Sequence, residues 1–382
     1  MDRIYLDYAA TTPLDPQVLE TMSPYFTQIF GNPSSNHYFG QQAEAVLETC
    51  RTKVASLLGA QAENVLFTAS GSEGDNLAVK GAAFAQRNAR GADTVLISPV
   101  EHPAVANSAK QLRNEFGFKL IELKTDRAGA VLAEDLRTQL AQNQVAVVSV
   151  IYANNEIGTI NDVETLGAIC AEQQVPFHTD AVQACACLPI DLQHQKIDLL
   201  SFAAHKFYGP KGVGALLRRG TPLISHTSGG KQEHKLRAGT HNVPGIVGLT
   251  KALELALQRQ PQEVARLAQL RDRIIQTACA EISGCQLTGS AQNRLPNHVS
   301  LLFDGISGND LVIMLDMAGF ACSSGSACKV GDPKPSKVIL ALGYPAEGSL
   351  GSLRVTLGKD TTADDVDRFL EYLPAAVKKL RK

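Results

Sequence analysis

The chain has 382 residues, 44% of them hydrophobic, with 36 Lys and Arg against 38 Asp and Glu. This composition excludes a disordered chain, and the near-neutral charge lacks the basic excess that binds a phosphate backbone, so nucleic acid is not an expected partner. The eight cysteines form no C-x-x-C pair and no His/Cys cluster at zinc spacing, which argues against a disulfide framework or an intrinsic metal site.

At about 150 residues per domain the length predicts two or three domains. The opening Met1-Asp2-Arg3-Ile4-Tyr5-Leu6-Asp7 has no basic lead and no apolar run, and no stretch of about 18 apolar residues follows. A soluble cytoplasmic protein without a membrane partner is expected. Between Asn64 and Leu217 short apolar runs alternate with helical patterns, the signature of βαβ units and a parallel sheet. The predicted strands are Asn64–Thr68, Thr94–Ser98, Val145–Tyr152, Val175–His178, Ile197–Phe202 and Val213–Leu217. Polar and small residues follow several of them: Ser70-Gly71-Ser72, Glu101-His102, Asn154-Asn155-Glu156, Asp180 with Gln183, and His205-Lys206. Open α/β sheets bind ligands at the carboxyl ends of their strands, so these groups point to one site. After Pro244 the pattern predicts helices over Gly245–Gln258 and Pro261–Ile282, a strand over Asn297–Phe303, a helix over Gly308–Ala318, a strand over Leu350–Leu357 and an amphipathic helix over Thr362–Leu380. The boundary falls near residue 260.

Three constellations are candidates for chemistry. Phe67-Thr68-Ala69-Ser70-Gly71-Ser72-Glu73 joins a strand to a helix through small residues, an arrangement that offers free N–H groups to a phosphate or serves as a plain turn. Asp180 ends a buried strand, either as a cap or as the partner of a protonated heterocyclic nitrogen. Lys206 lies between an apolar strand and the glycine-rich Gly209-Pro210-Lys211-Gly212; a desolvated lysine there can lose its proton and form a Schiff base with a carbonyl.

These residues carry a resemblance. Lys206 in His-Lys-Phe-Tyr-Gly-Pro-Lys-Gly, Asp180 in His-Thr-Asp-Ala-Val-Gln, the run Asn154-Asn155-Glu156-Ile157-Gly158, Arg237-Ala238-Gly239-Thr240, the opening Tyr5-Leu6-Asp7-Tyr8-Ala9-Ala10-Thr11-Thr12-Pro13 and Ser323-Ser324-Gly325-Ser326-Ala327-Cys328 resemble the cysteine desulfurases. These belong to the class V aminotransferase family of fold-type I pyridoxal-phosphate enzymes. The motifs run nearly end to end and keep their order. The resemblance implies an α/β fold, with a large, mostly parallel sheet of the seven-stranded type over 13–259 and a smaller α+β domain from 1–12 plus 260–382. A mobile loop at about 321–335 in the smaller domain would carry the catalytic cysteine.

By the same resemblance, Lys206 would bond pyridoxal phosphate and later carry a proton, and Asp180 would face the ring nitrogen. Gln183 and Asn155 would flank the phenolic oxygen, and His102 would stack on the ring and take part in acid–base steps. Gly71, Ser72 and His205 would hold the phosphate, with Thr240 reaching in from the second subunit of a homodimer. Arg354, with Asn155, would bind the carboxylate of L-cysteine. Cys328 would take its sulfur as a persulfide, yielding L-alanine, and pass it to sulfur acceptors or an iron–sulfur scaffold, where Cys328 is a possible transient cluster ligand. The other seven cysteines, Cys322 included, are expected to be structural or incidental. Two departures stand out: Ala203 replaces a serine that would reach the phosphate, and Lys329-Val330-Gly331-Asp332-Pro333 replaces small hydroxyl residues. The alternatives are another pyridoxal-phosphate lyase acting on selenocysteine or cystine, an aminotransferase, or a noncatalytic phosphate-binding module.

Overall fold

The structure is a computed structural model that describes residues 3–325 and 335–381. In chain order its strands are β1 (Ile4–Tyr5), β2 (Val65–Thr68), β3 (Thr94–Ile97), β4 (Lys119–Glu122), β5 (Val145–Ser149), β6 (Phe177–Asp180), β7 (Leu199–Ala203), β8 (Gly214–Arg218), β9 (Cys285–Leu287), β10 (His298–Phe303), β11 (Phe320–Ala321) and β12 (Ser352–Thr356). The helices are α1 (Pro16–Met22), α2 (Pro24–Thr27), α3 (Tyr38–Leu57), α4 (Gly71–Arg90), α5 (Pro103–Phe116), α6 (Ala133–Gln142), α7 (Val163–Glu172), α8 (Val243–Glu281), α9 (Gly308–Met317), α10 (Lys337–Ala341) and α11 (Ala363–Leu380).

A seven-stranded sheet in the order β2-β8-β7-β6-β5-β3-β4 forms the larger unit. Only β8 runs against the others, because a short connection folds it back on β7 as an antiparallel neighbour. Val145-Ala146-Val147-Val148 of β5 and Thr94-Val95-Leu96-Ile97 of β3 are buried throughout, as strands covered on both faces must be. Each buried Leu or Phe contributes about 1.5–3 kcal/mol. The edge strand β4 escapes the apolar pattern because its Lys119 and Glu122 are exposed. Caps aim the helices that leave the carboxyl rim: Ser70 accepts from the Glu73 N–H at the start of α4, and His102 accepts from Ala104 at the start of α5.

A second unit contains the three-stranded sheet β12-β10-β9 and the two-stranded β1-β11. Its core includes Ile4, Leu6, Ile274, Val299, Leu353 and Phe369. The helix α8 links the two units: Leu249 and Leu253 pack in the core of the larger and Leu267 and Ile274 in that of the smaller. The sequence predicts a break before Pro261, yet α8 continues through it. Proline forfeits one backbone hydrogen bond, and the apolar contacts anchored on either side outweigh that loss.

Candidate active site

All the strands of the larger sheet except β8 point their carboxyl ends to the same rim, and β12 faces that rim from the smaller unit. A cleft of about 290 Å³ opens between them, near the size of a small-ligand pocket. Gly71, Ser72, His102, Asn155, Asp180, Gln183, His205, Lys206 and Arg354 all line it. A Cβ on Gly71 would lie 2.7 Å from Val182 Cγ2, so only glycine lets α4 start this close to the end of β6.

Lys206 follows β7 in a tight turn. Its Nζ donates to the carbonyls of Ala9 (2.6 Å) and Ala10 (2.8 Å), while Gln183 Nε2 also donates to Ala9 at 2.9 Å. Burial, reinforced by the Arg354 charge, lowers the Lys206 pKa to about 8 from an ordinary 10.5. Its neighbour His205 pairs through Nδ1 with Thr11 Oγ1 at 3.1 Å. Burial and the charges of Lys206 and Lys211 bring His205 down to about 4, leaving it neutral.

Opposite the lysine, Asp180 is buried at the end of β6 and accepts from the Val182 N–H at 2.9 Å. Burial raises its pKa, while His102, Val182 and Lys206 oppose the rise. Asp75, His102 and Asp180 each place a ligand-type atom within 4.8 Å of the other two. Burial and Asp180 itself push Asp75 well up, and burial does the same to Glu101, whose Oε1 accepts from Ile151 at 2.6 Å. The buried Asp75 Oδ1 and Glu101 Oε2 have no hydrogen-bond partner. Asp75 and Glu101 therefore stand beside Asp180 as carboxyls pushed up by burial, whereas the rise at Asp180 is opposed by His102 and Lys206. Beneath them His178 pairs with Ser149 (2.8 Å) and Ser201 (3.0 Å), and burial lowers its pKa to about 3.

At the mouth, Arg354 donates through Nη2 to Asp7 Oδ1 (2.8 Å) and through Nη1 to the Asn155 carbonyl (3.1 Å). Its buried Nε has no partner. Asp7 is held in turn by the Ser323 hydroxyl at 2.8 Å. The Ser336 hydroxyl donates to Glu156 Oε2, and a Cβ on Gly325 would lie 3.4 Å from that same oxygen. The described residues on either side of 326–334 therefore meet at Glu156.

Cys328 lies outside the described residues. Thr240 is exposed and lines a separate hollow with Thr68, Ala69 and Arg237, away from the cleft of its own chain. The sequence reading missed Asp7, Asp75 and His298, whose Nε2 pairs with the Asn155 carbonyl at 3.0 Å. Asp75 had a legible signal: it shares the buried face of α4 with Gly71, Ala78 and Ala82, where a carboxylate is costly unless it has work to do.

The cleft suits a flat, phosphorylated heterocyclic aldehyde. It combines a helix start of small residues for an anion, a buried carboxyl for a ring nitrogen and a lysine of lowered pKa for a carbonyl.

The chain belongs to the aminotransferase class-V family, which matches residues 4–369, a family whose enzymes use pyridoxal phosphate. Within it, the chain is similar to the protein named cysteine desulfurase IscS of Dictyoglomus turgidum, 43% identical over 99% of this chain and 95% of the relative. The cysteine desulfurase IscS of Methanosarcina thermophila is also 43% identical, over 99% of this chain and 93% of its own. Among solved structures, a NifS-like protein superposes with a TM-score of 0.91 at 33% identity, covering 99% of this chain and 100% of its own. A structure of SspA in complex with cysteine reaches a TM-score of 0.81 at 32% identity, covering 92% of this chain and 98% of its own. Among the described residues no helix is long and apolar enough to cross a membrane.

Proposed function

We propose that the chain is a pyridoxal-phosphate-dependent cysteine desulfurase that converts L-cysteine to L-alanine and holds the sulfur as a persulfide on Cys328. The observation that carries this reading is the convergence of Lys206, Asp180 and Arg354 in one cleft. The relatives named cysteine desulfurase support it along the whole chain.

Pyridoxal phosphate, when bound, supplies an electron sink for charge at the substrate's α-carbon. The residues around it divide the remaining work. Gly71, Ser72 and neutral His205 hold the phosphate, and Asp180 holds a proton on the ring nitrogen. Gln183 and Asn155 would hold the phenolic oxygen, and His102 would pack against the ring. Lys206, half neutral near pH 8, is the residue that would hold the cofactor's carbonyl carbon and carry protons for the substrate. Arg354 binds the substrate carboxylate through its fork, in exchange for part of its contact with Asp7. The thiolate of Cys328 attacks the sulfur of cysteine: an S–S bond forms, the C–S bond breaks, and its electron pair stays with carbon, which takes up a proton as alanine.

The reading divides the chain into a large domain over 13–259 and a small one from 1–12 plus 260–382. It includes a cytoplasmic homodimer in which Thr240 serves the partner's phosphate site. The exposed aromatic side chains of Phe26, Phe30, Tyr38 and Phe39 support a subunit contact. The sulfur acceptor is another protein, such as an iron–sulfur scaffold, with Cys328 as a shared transient ligand.

The test is incubation with L-cysteine followed by mass analysis of the peptide bearing Cys328, alongside borohydride reduction. A gain of one sulfur on that peptide, alanine in the medium and a pyridoxyl group on Lys206 are expected. Alanine formation at an unchanged rate by the Cys328→Ala variant would remove the persulfide step, and a monomeric sedimentation profile would remove the role of Thr240.

A further inference from the structure

Far from the cleft, two thiols meet. Cys279 lies in the last turns of α8 and is exposed, Cys285 opens the edge strand β9 and is half-buried, and their Sγ atoms are 4.0 Å apart. The intervening turn is fixed. The Ile282 N–H donates to the Ala278 carbonyl (3.0 Å) and the Cys285 N–H to Ile282 (3.1 Å), and Gly284 adopts φ +66°. The Asp304 N–H donates to Gly284 at 2.9 Å, and Cys285 sits opposite Phe303 in the ladder. The backbone therefore holds both thiols in place, with the sulfurs about 2 Å further apart than in a disulfide.

We propose that Cys279 and Cys285 form a reversible dithiol–disulfide site that reacts with hydroperoxides. Exposure makes Cys279 the sulfur that the oxidant reaches, and the half-buried Cys285, its Sγ 4.0 Å away, is the resolving partner. The Cys279 thiolate attacks one peroxide oxygen, the O–O bond breaks, and a sulfenic acid forms while the second oxygen leaves as water or alcohol after taking a proton. The Cys285 sulfur then attacks the Cys279 sulfur. The S–S bond forms, the S–O bond breaks, and the hydroxyl leaves as water with the Cys285 proton. The two thiols together lose two hydrogens and the peroxide is reduced. Among the other described cysteines, Cys50, Cys170, Cys185 and Cys322 are buried.

Both residues fall in the tryptic peptide between Arg273 and Arg294, so the intact protein can be tested directly. The reduced full-length chain is treated with hydrogen peroxide, blocked with iodoacetamide and digested. The expected peptide is two hydrogens lighter, carries no alkyl group on either cysteine and regains both after dithiothreitol. Cleavage after Glu281 then leaves two fragments joined only through sulfur. In the Cys285→Ser variant Cys279 proceeds to higher oxides. The proposal is overturned if the native peptide stays doubly alkylated at peroxide levels that oxidise Cys279 in that variant. It is equally overturned if Cys279 reaches the sulfinic or sulfonic state while Cys285 is still alkylated.

Discussion

Lys206 can capture an aldehyde only while its amine is neutral, and its surroundings set the pH at which that occurs. Burial and Arg354 hold its pKa at about 8, so the neutral fraction grows as pH rises through 8. The rate at which the cofactor-free protein captures pyridoxal phosphate should rise with a midpoint near pH 8, followed by absorbance. A midpoint near the ordinary 10.5 would mean that the desolvation is not felt. Ala203 offers a second test, because it is buried at the cleft wall beside Gly71. Ala203→Ser should tighten pyridoxal phosphate binding about fivefold, on the order of 1 kcal/mol for one added hydrogen bond, as read by titration of the cofactor-free protein. The candidate site was largely legible at this scale because its residues sit in contiguous motifs. His178 marks the limit: it shares the Asp180 face of β6, yet it lies one step deeper and is taken up by Ser149 and Ser201 beneath the cleft.

Among the elements, the segment that leads to Thr240 is held by an unusual network. Glu233, His234 and Lys235 take positive φ values of 44°, 56° and 67°, a cost the surroundings must offset. The buried Glu233 carboxylate accepts from Arg51 Nη1 (2.9 Å) and Nη2 (3.0 Å) and from the Phe67 N–H (2.9 Å), and pairs with His241 at 2.8 Å. Burial alone would raise its pKa, but these partners outweigh burial and hold it at about 2. A carboxyl lowered on folding contributes stability above its ordinary pKa near 4.5 and loses that contribution as pH falls toward 2. Glu233→Gln should cost about 3–5 kcal/mol by leaving the Arg51 charge buried without its partner, measured by urea unfolding at pH 7. The wild-type advantage should shrink below pH 4. Nothing local announced this network, since Arg51 and Glu233 are 182 residues apart. The continuity of α8 through Pro261 escaped for a related reason: the contacts that carry it belong to two separate cores.

For the whole molecule, the decisive arrangement is the approach of β12 to the rim of the larger sheet, which brings Arg354 opposite Lys206. The β1 region supplies Asp7 to that arginine, and the Ala9 and Ala10 carbonyls to the lysine. The amino-terminal segment therefore touches both halves of the site. Arg354→Gln should raise KM for L-cysteine by about 10- to 100-fold, the equivalent of about 1.5–3 kcal/mol for a charged hydrogen bond. The spectrum of bound pyridoxal phosphate should be unchanged, and a spectral change with unaltered KM would refute the carboxylate role. By itself the sequence determined the alternation of strands and helices and the polar ends of those strands, because strand burial, caps and glycine turns act over a few neighbours, while its resemblance to a known family supplied distant cleft residues such as Arg354. Only the tertiary structure decided which carboxyls are pushed up by burial, where Arg354 finds Asp7, and that Cys279 meets Cys285. Those outcomes depend on burial and on charges brought together across long stretches of chain, which no local pattern encodes.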